Sequence, residues 1–166
     1  MKTLLVLRHA KASPDDASVV DHDRTLTKRG VKAAQRIGAL LRDEGLLPDV
    51  ALSSTAARAR ATAEIVLREA GLPETTLALL PELYLAEPPA YLDVLRKLER
   101  SSAARVLVVG HNPGIETLIY RLTGETEHMP TAALAICELN LEGWSDLDVH
   151  TRGELIRVVR PKGLED

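Results

Sequence analysis

Hydrophobic positions along this chain follow two alternating periods. Residues 3–7 and 105–109 form short, almost continuous apolar runs, which are typical of strands buried on both faces. Between such runs, apolar residues recur at spacings of three or four. Thr27 is a good N-cap for one of these segments and Gly45 a good stop, so the pattern predicts a helix over about residues 28–44.

The same pattern predicts the remaining elements of an alternating α/β chain. Further strands are predicted at 50–52, 134–139 and 154–159, and further helices at about 56–70, from Pro88 onward and at 114–122. Residues 76–80 fit either a strand or an extended connector. Alternation of this kind predicts a three-layer α/β/α sandwich with a mostly parallel central sheet. No repeat or linker divides the chain, so we expect one domain over residues 1–166.

One segment, residues 10–26, shows no regular period. It carries four aspartates, Asp15, Asp16, Asp21 and Asp23. Loops of this length inside compact domains tend to be functional or mobile. The sequence leaves open whether this acidic loop acts at a site or is only a solvated connection.

Composition narrows the classes of partner. The net charge is -3 and Lys and Arg form no long run, so no nucleic-acid partner is expected. No apolar stretch approaches the roughly 18 residues that a membrane span needs, and the N-terminus does not resemble a signal peptide. We therefore expect a cytoplasmic protein without a membrane partner. Aromatic residues are only 2% of the chain, so polar and charged groups must hold any substrate.

Basic side chains stand at the ends of three predicted strands or just after them. Arg8 and His9 follow the first strand, His111 follows the strand at 105–109, and Arg58 and Arg60 stand early in the helix after residues 50–52. Ligands of open α/β sheets bind at the carboxyl ends of the strands, where helix N-termini also favour anions. We expect two arginines and two histidines from these segments to converge on one small anionic group.

Other chemistries lack their usual signatures. The five histidines show no paired spacing such as His-Glu-x-x-His, and Cys137 has no partner thiol, so no metal site is predicted. The glycine-rich nucleotide loops and the Gly-x-Ser-x-Gly elbow of serine hydrolases are also missing from the sequence. No cofactor is expected.

Five segments together resemble the histidine phosphatase superfamily, the phosphoglycerate-mutase-like enzymes. In chain order they are Leu7-Arg8-His9-Ala10, Arg24-Thr25-Leu26-Thr27-Lys28-Arg29-Gly30, Ser54-Thr55-Ala56-Ala57-Arg58-Ala59-Arg60-Ala61-Thr62, Pro81-Glu82-Leu83 and Gly110-His111-Asn112-Pro113. The short chain is most similar to the small SixA-type phosphohistidine phosphatase branch. Two departures stand out: Ala10 replaces the usual Gly, and Ala61 replaces the Gln of many relatives.

The resemblance implies a phosphoglycerate-mutase-like fold and a role for each matched residue. His9 would be the nucleophile, with Arg8 and Arg58 binding phosphoryl oxygens and His111 adding a third contact, as a cation or as a donor. Glu82 would be the general acid. Arg60 lies outside the motif register and is expected on the surface.

The leaving group decides which substrate these residues serve. An alkoxide needs a proton from an acid such as Glu82, whereas imidazole leaves more readily. We expect hydrolysis through a phosphoryl intermediate on His9, with a phosphohistidine-bearing protein as substrate. A small phosphomonoesterase, acting on a sugar or nucleoside-derived phosphate, is the alternative; a non-catalytic phosphate-binding module is less favoured, and so is a mutase, given the short chain. The sequence predicts no oligomeric state.

Overall fold

The computed structural model describes residues 1–14 and 17–161. Asp15 and Asp16 of the predicted acidic loop, and the last five residues of the predicted domain, lie outside the described residues. The strands and helices of the described part are β1 (Lys2–Arg8), α1 (Lys28–Asp43), β2 (Val50–Ser54), α2 (Ala57–Glu69), β3 (Leu77–Leu80), α3 (Pro88–Arg96), β4 (Arg105–Gly110), α4 (Gly114–Thr123), β5 (Leu134–Leu139) and β6 (Gly153–Val159).

A six-stranded mixed sheet with the order β3-β2-β4-β1-β5-β6 forms the centre of the fold. The pairs β1–β4, β4–β2 and β2–β3 are parallel, whereas β5 and β6 join antiparallel at the β1 side. The predicted α/β sandwich with a mostly parallel sheet is confirmed. The ambiguous segment at residues 76–80 contributes the edge strand β3, which pairs in parallel with β2.

Alternating strand residues supply two separate cores. In β1, Leu4 and Val6 join the cluster under α3 and α4, whereas Leu5 and Leu7 join the cluster under α1 and α2. Successive side chains of a strand point to opposite faces, so a continuous apolar run is what a sheet covered on both faces requires.

Helix ends follow the predicted signals. The Thr27 hydroxyl accepts a hydrogen bond from the Gly30 N–H at 3.0 Å and so caps α1. At the C-terminal end of α4, Gly124 adopts φ 77°, the left-handed conformation that glycine tolerates best, and so ends the helix.

The layering opens a crevice at one edge of the sheet. The chain leaves β1 towards α1 on one face and leaves the neighbouring strand β4 towards α4 on the other. Adjacent strand ends whose connections diverge in this way form the ligand-binding crevice of open α/β sheets.

The described part of the segment at residues 10–26, namely 10–14 and 17–26, runs beside this crevice and is mostly irregular, as predicted. Its described part contains an isolated bridge between Ala12 and Leu26 and a short 3₁₀ turn, Asp21–Asp23. None of the helices in the described residues is long and apolar enough to span a membrane.

Candidate active site

Two neighbouring strand ends bring His9 and His111 together. Arg8 of β1 pairs in register with Gly110 of β4, so the next residue of each strand is a histidine. The His9 N–H donates to the Gly110 carbonyl at 3.1 Å, and the two ring centroids are 5.1 Å apart. Both side chains are almost fully buried, with 7% of His9 and 1% of His111 exposed.

A backbone hydrogen bond fixes the tautomer of His9. Its Nδ1 lies 2.8 Å from the Ala10 carbonyl oxygen. Because a carbonyl can only accept, Nδ1 carries the proton and Nε2 keeps its lone pair. Burial, helped by the charges of nearby arginines, lowers the pKa of His9 to about 4 against the opposing effect of the backbone hydrogen bond. At neutral pH the ring is an uncharged imidazole.

His111 is also uncharged at neutral pH. Its Nε2 lies 2.8 Å from the Ser54 hydroxyl oxygen, and its Nδ1 is buried without a hydrogen-bond partner. Burial first, and then the neighbouring His9 and Arg58, lower the pKa of His111 to about 3. Of the two forms that the sequence allowed, a cation or a neutral donor, the structure therefore favours the neutral ring.

The first turn of α2 brings Arg58 into the same group. Arg58 is only 3% exposed, and its Nη1 and Nη2 donate to the backbone carbonyl and the carboxylate of Asp21 at 2.8 and 3.1 Å. The buried Thr62 hydroxyl accepts from the Ala10 N–H at 2.9 Å and donates to the Arg58 carbonyl at 2.7 Å. Thr62 thus ties the helix that carries Arg58 to the loop that carries His9.

Arg8 approaches from the opposite side of the strand end. Its Nη1 donates to the Met129 carbonyl at 3.1 Å. The Glu116 carboxylate accepts from the Met129 N–H at 2.8 Å and from the Asn112 side chain at 2.9 Å. Burial lowers the pKa of Arg8, while the charge of Glu116 opposes that shift.

Three buried nitrogens of these side chains have no hydrogen-bond partner. In residues 1–14 and 17–161, five buried side-chain polar atoms have no hydrogen-bond partner, and three of them are Arg8 Nε, Arg58 Nε and His111 Nδ1. A buried polar atom without a partner costs about 1–3 kcal/mol, so native proteins keep few of them. Their clustering around His9 gives the site several N–H groups that could donate to an anion.

Glu82 and Arg60 stand apart from this group. Glu82 is exposed in the 3₁₀ turn Pro81–Leu83, and no hydrogen bond or ion pair joins it to another described residue. Arg60 is exposed and pairs with Glu64 at 3.2 Å, which confirms its predicted place on the surface. The structure therefore brings together four of the predicted site residues and leaves Glu82 outside their contacts.

Sequence reasoning did not single out two neighbours of the cluster, Asp21 and Tyr84. The Tyr84 hydroxyl makes a short hydrogen bond to the Asp21 carboxylate, and its ring stands edge-on to His111 with centroids 5.5 Å apart. Asp21 was visible only as one of four loop aspartates. Tyr84 follows the Pro81-Glu82-Leu83 motif directly, and this was the one signal that could have drawn attention to it.

A close approach explains the glycine before His111. A Cβ at Gly110 would overlap the Tyr91 hydroxyl of α3, to which the His111 N–H donates at 3.4 Å. Among the described residues, no group of three His, Cys, Asp or Glu side chains is arranged to hold a metal ion.

Comparisons with known proteins agree with this geometry. The model of the histidine phosphatase superfamily (branch 1) matches residues 4–87. The uncharacterized protein ML1117 of Mycobacterium leprae is 31% identical and covers 94% of this chain and 100% of its own length. The structure of the protein histidine phosphatase SixA complexed with tungstate aligns with a TM-score of 0.83 at 26% identity, over 98% of this chain and 99% of that one. SixA from Agrobacterium tumefaciens aligns with a TM-score of 0.80 at 29% identity, over 96% and 98% of the two chains.

Proposed function

This chain belongs to the histidine phosphatase superfamily and is a histidine phosphatase, and from that premise we propose that it hydrolyses protein phosphohistidine through a phosphoryl intermediate on His9. One observation carries the proposal: an imidazole with its proton held on Nδ1 lies among buried arginine nitrogens that lack partners. A lone pair on Nε2 and a cradle for an anion are the two requirements of nucleophilic attack on a phosphoryl group.

In the first step, the lone pair of His9 Nε2 attacks phosphorus. Guanidinium groups at Arg8 and Arg58 would neutralise the phosphoryl oxygens, because a dianion otherwise repels a nucleophile. His111 would donate a hydrogen bond rather than bring a fixed positive charge, since burial lowers its pKa to about 3. A bound dianion stabilises a protonated ring, so substrate binding itself would favour proton uptake by His111.

In the second step, water attacks the phosphorus of phospho-His9. The N–P bond breaks, its electron pair returns to Nε2, and inorganic phosphate leaves. The Nδ1–H···O bond to Ala10 persists through both steps and keeps the ring in the orientation that the reverse displacement needs.

Two observations favour phosphohistidine over phosphomonoesters as the substrate. Glu82 is exposed, and no hydrogen bond or ion pair joins its side chain to another described residue, so no described neighbour would orient it towards a departing alkoxide. The second is the similarity to SixA, a protein histidine phosphatase that binds tungstate, an oxyanion with the tetrahedral shape of phosphate.

The decisive experiment compares phosphorylated substrates and traps the intermediate. Wild-type protein is mixed with a phosphohistidine protein, p-nitrophenyl phosphate or an alkyl phosphate, and kcat/KM is measured for each. Samples with labelled phosphoryl groups are quenched in alkali, because the N–P bond of phosphohistidine is labile in acid. We expect the highest kcat/KM for phosphohistidine and transient label on His9.

Matched histidine variants test whether turnover and labelling depend on His9. His9→Ala should abolish turnover and labelling, while His150→Ala, at an exposed histidine, should change neither. A preference for the alkyl phosphate would support the small-molecule phosphomonoesterase instead. Binding of phosphate without any label on His9 would indicate a non-catalytic module and contradict the proposal.

A further inference from the structure

Asp21 is held at the site by three side chains. Its carboxylate accepts from Arg58 Nη2 and from Arg24 Nε, each at 3.1 Å, and also from the Tyr84 hydroxyl. Its backbone carbonyl accepts from Arg58 Nη1 at 2.8 Å. A loop residue that was only one of several aspartates in the sequence is thus a fixed negative charge beside the catalytic group.

This charge lies on the open side of the site. The Asp21 side chain is 40% exposed, whereas His9, Arg58 and His111 are buried beneath it. Tyr84 bridges the two layers, because its hydroxyl contacts Asp21 and its ring contacts His111. The Tyr84 hydrogen bond and the Arg58 contact lower the pKa of Asp21 to about 2, so the carboxylate is ionised at any working pH.

An in-line displacement puts the leaving group on this same side. Attacking and leaving atoms lie on opposite sides of phosphorus in phosphoryl transfer. His9 is at the buried floor, so the leaving group must depart towards solvent, past Asp21. The charge that develops on the leaving group therefore develops in the field of a carboxylate.

Leaving groups differ in the net charge that they carry in the transition state. An alkyl or aryl phosphate releases an oxygen that becomes negative as the P–O bond breaks. Phosphohistidine must release neutral imidazole rather than imidazolate, so its ring has to carry a proton on the nitrogen remote from phosphorus. The protonated ring carries a positive charge that falls to zero as the N–P bond breaks. At pH values where the free substrate ring is unprotonated, the transition state is therefore reached by taking up a proton and is more positive on the ring than the free substrate.

We propose that Asp21 is a specificity-determining residue that selects phosphoryl groups on a protonatable nitrogen base against those on oxygen. The proposal rests on the function proposed above. The carboxylate accepts a hydrogen bond from the remote N–H of the substrate ring and so favours the protonated, reactive form. The His9 Nε2–P bond then forms while the substrate N–P bond breaks; that electron pair returns to the ring nitrogen, and neutral imidazole departs. The same carboxylate repels a departing oxyanion.

The test measures a ratio of rates on one enzyme preparation. For wild type and Asp21→Asn, kcat/KM is determined with a phosphohistidine protein and with p-nitrophenyl phosphate. The fraction of folded enzyme cancels in the ratio, so partial misfolding of a variant cannot imitate the effect. Asp23→Asn is the matched control, because it removes the same charge from a position two residues along the chain. The Asp23 carboxylate lies 3.6 Å from His22, whereas Arg58 pairs with Asp21.

We expect Asp21→Asn to lower the phosphohistidine-to-aryl-phosphate ratio about tenfold, the effect of one nearby charge in a partly solvated site. Asp23→Asn should leave the ratio within about twofold, and Asp21→Glu should recover much of it. If Asp21→Asn lowers kcat/KM equally with both substrates, Asp21 only supports Arg58. If the variant raises kcat/KM equally with both, Asp21 competes with the phosphoryl group for Arg58. Either result overturns the inference. Absence of wild-type phosphohistidine turnover would instead refute the proposed function itself.

Discussion

The neutral state of His9 makes a quantitative prediction about acid stability. The folded protein holds the pKa of His9 at about 4, chiefly by burial, whereas an unfolded chain titrates at the ordinary value of about 6.5. Between these two values the unfolded state binds a proton that the folded state does not. Stability from this group is therefore complete above about pH 6.5 and is lost as the pH falls towards 4.

The size of the loss follows from linkage. Lowering the pH from 7.5 to 5 should cost about 2 kcal/mol of unfolding free energy through His9 alone. The loss accumulates over the roughly 1.5 pH units below 6.5 in which the unfolded chain binds a proton at His9 and the folded chain does not. His111 adds a loss in the same direction, since burial lowers its pKa to about 3. Other groups also titrate in this range, so the absolute pH dependence is less informative than a difference between variants.

The assay is urea unfolding of wild type, His9→Gln and His150→Gln at pH 7.5 and pH 5. His9→Gln should lose about 2 kcal/mol less than wild type between the two pH values, because glutamine takes up no proton. His150→Gln, at an exposed histidine, should follow wild type. If His9→Gln and wild type lose the same free energy within about 0.5 kcal/mol, His9 is not held neutral by burial, and the argument for its free lone pair fails.

Three further changes test individual contacts. Arg58→Ala should lower kcat/KM with p-nitrophenyl phosphate by roughly a hundredfold or more in steady-state kinetics. Arg60→Ala, at an exposed arginine on the same helix, should lower kcat/KM by less than about twofold. Thr62→Val removes the hydrogen bond from the Ala10 N–H that ties α2 to the His9 loop, together with the bond that the hydroxyl donates to the Arg58 carbonyl, so kcat should fall about tenfold. Thr62→Ser should restore kcat, and an unchanged kcat in the valine variant would count against a positioning role. Gly110→Ala should destabilise the fold by about 1–3 kcal/mol in thermal or urea unfolding, because the added Cβ would overlap the Tyr91 hydroxyl. Tyr91→Phe in the Gly110→Ala protein should recover part of this loss, and no recovery would point to a different clash.

Burial and strand topology explain why much of this site could be predicted. Continuous apolar runs such as those at β1 and β4 are typical of strands covered on both faces, and parallel strands end at the same edge of a sheet. Residues directly after such strands, His9 and His111, were therefore expected to meet before any distance was known. Arg58 followed from the helix that begins just after β2.

The contacts of Asp21 and Tyr84 could not be predicted in this way. Asp21 is 37 residues from Arg58 and lies in a 3₁₀ turn within an irregular segment, so no periodicity reports its direction. The same limit applies to charge states. Whether His111 is a cation or a neutral ring depends on how deeply neighbouring elements bury it, and burial of a polar residue has no signature in the local sequence.

The matched motifs contain residues that would contact the phosphoryl group and residues that only position those side chains. Thr62 joins α2 to the His9 loop, and Gly110 gives room to the Tyr91 hydroxyl. The departure at Ala10 fits this division, because its methyl group is fully buried in the core under α1 and α2 while its N–H and carbonyl serve Thr62 and His9. A motif position that acts through its backbone accepts any side chain that the surrounding core can pack, so alanine there leaves the geometry around His9 intact.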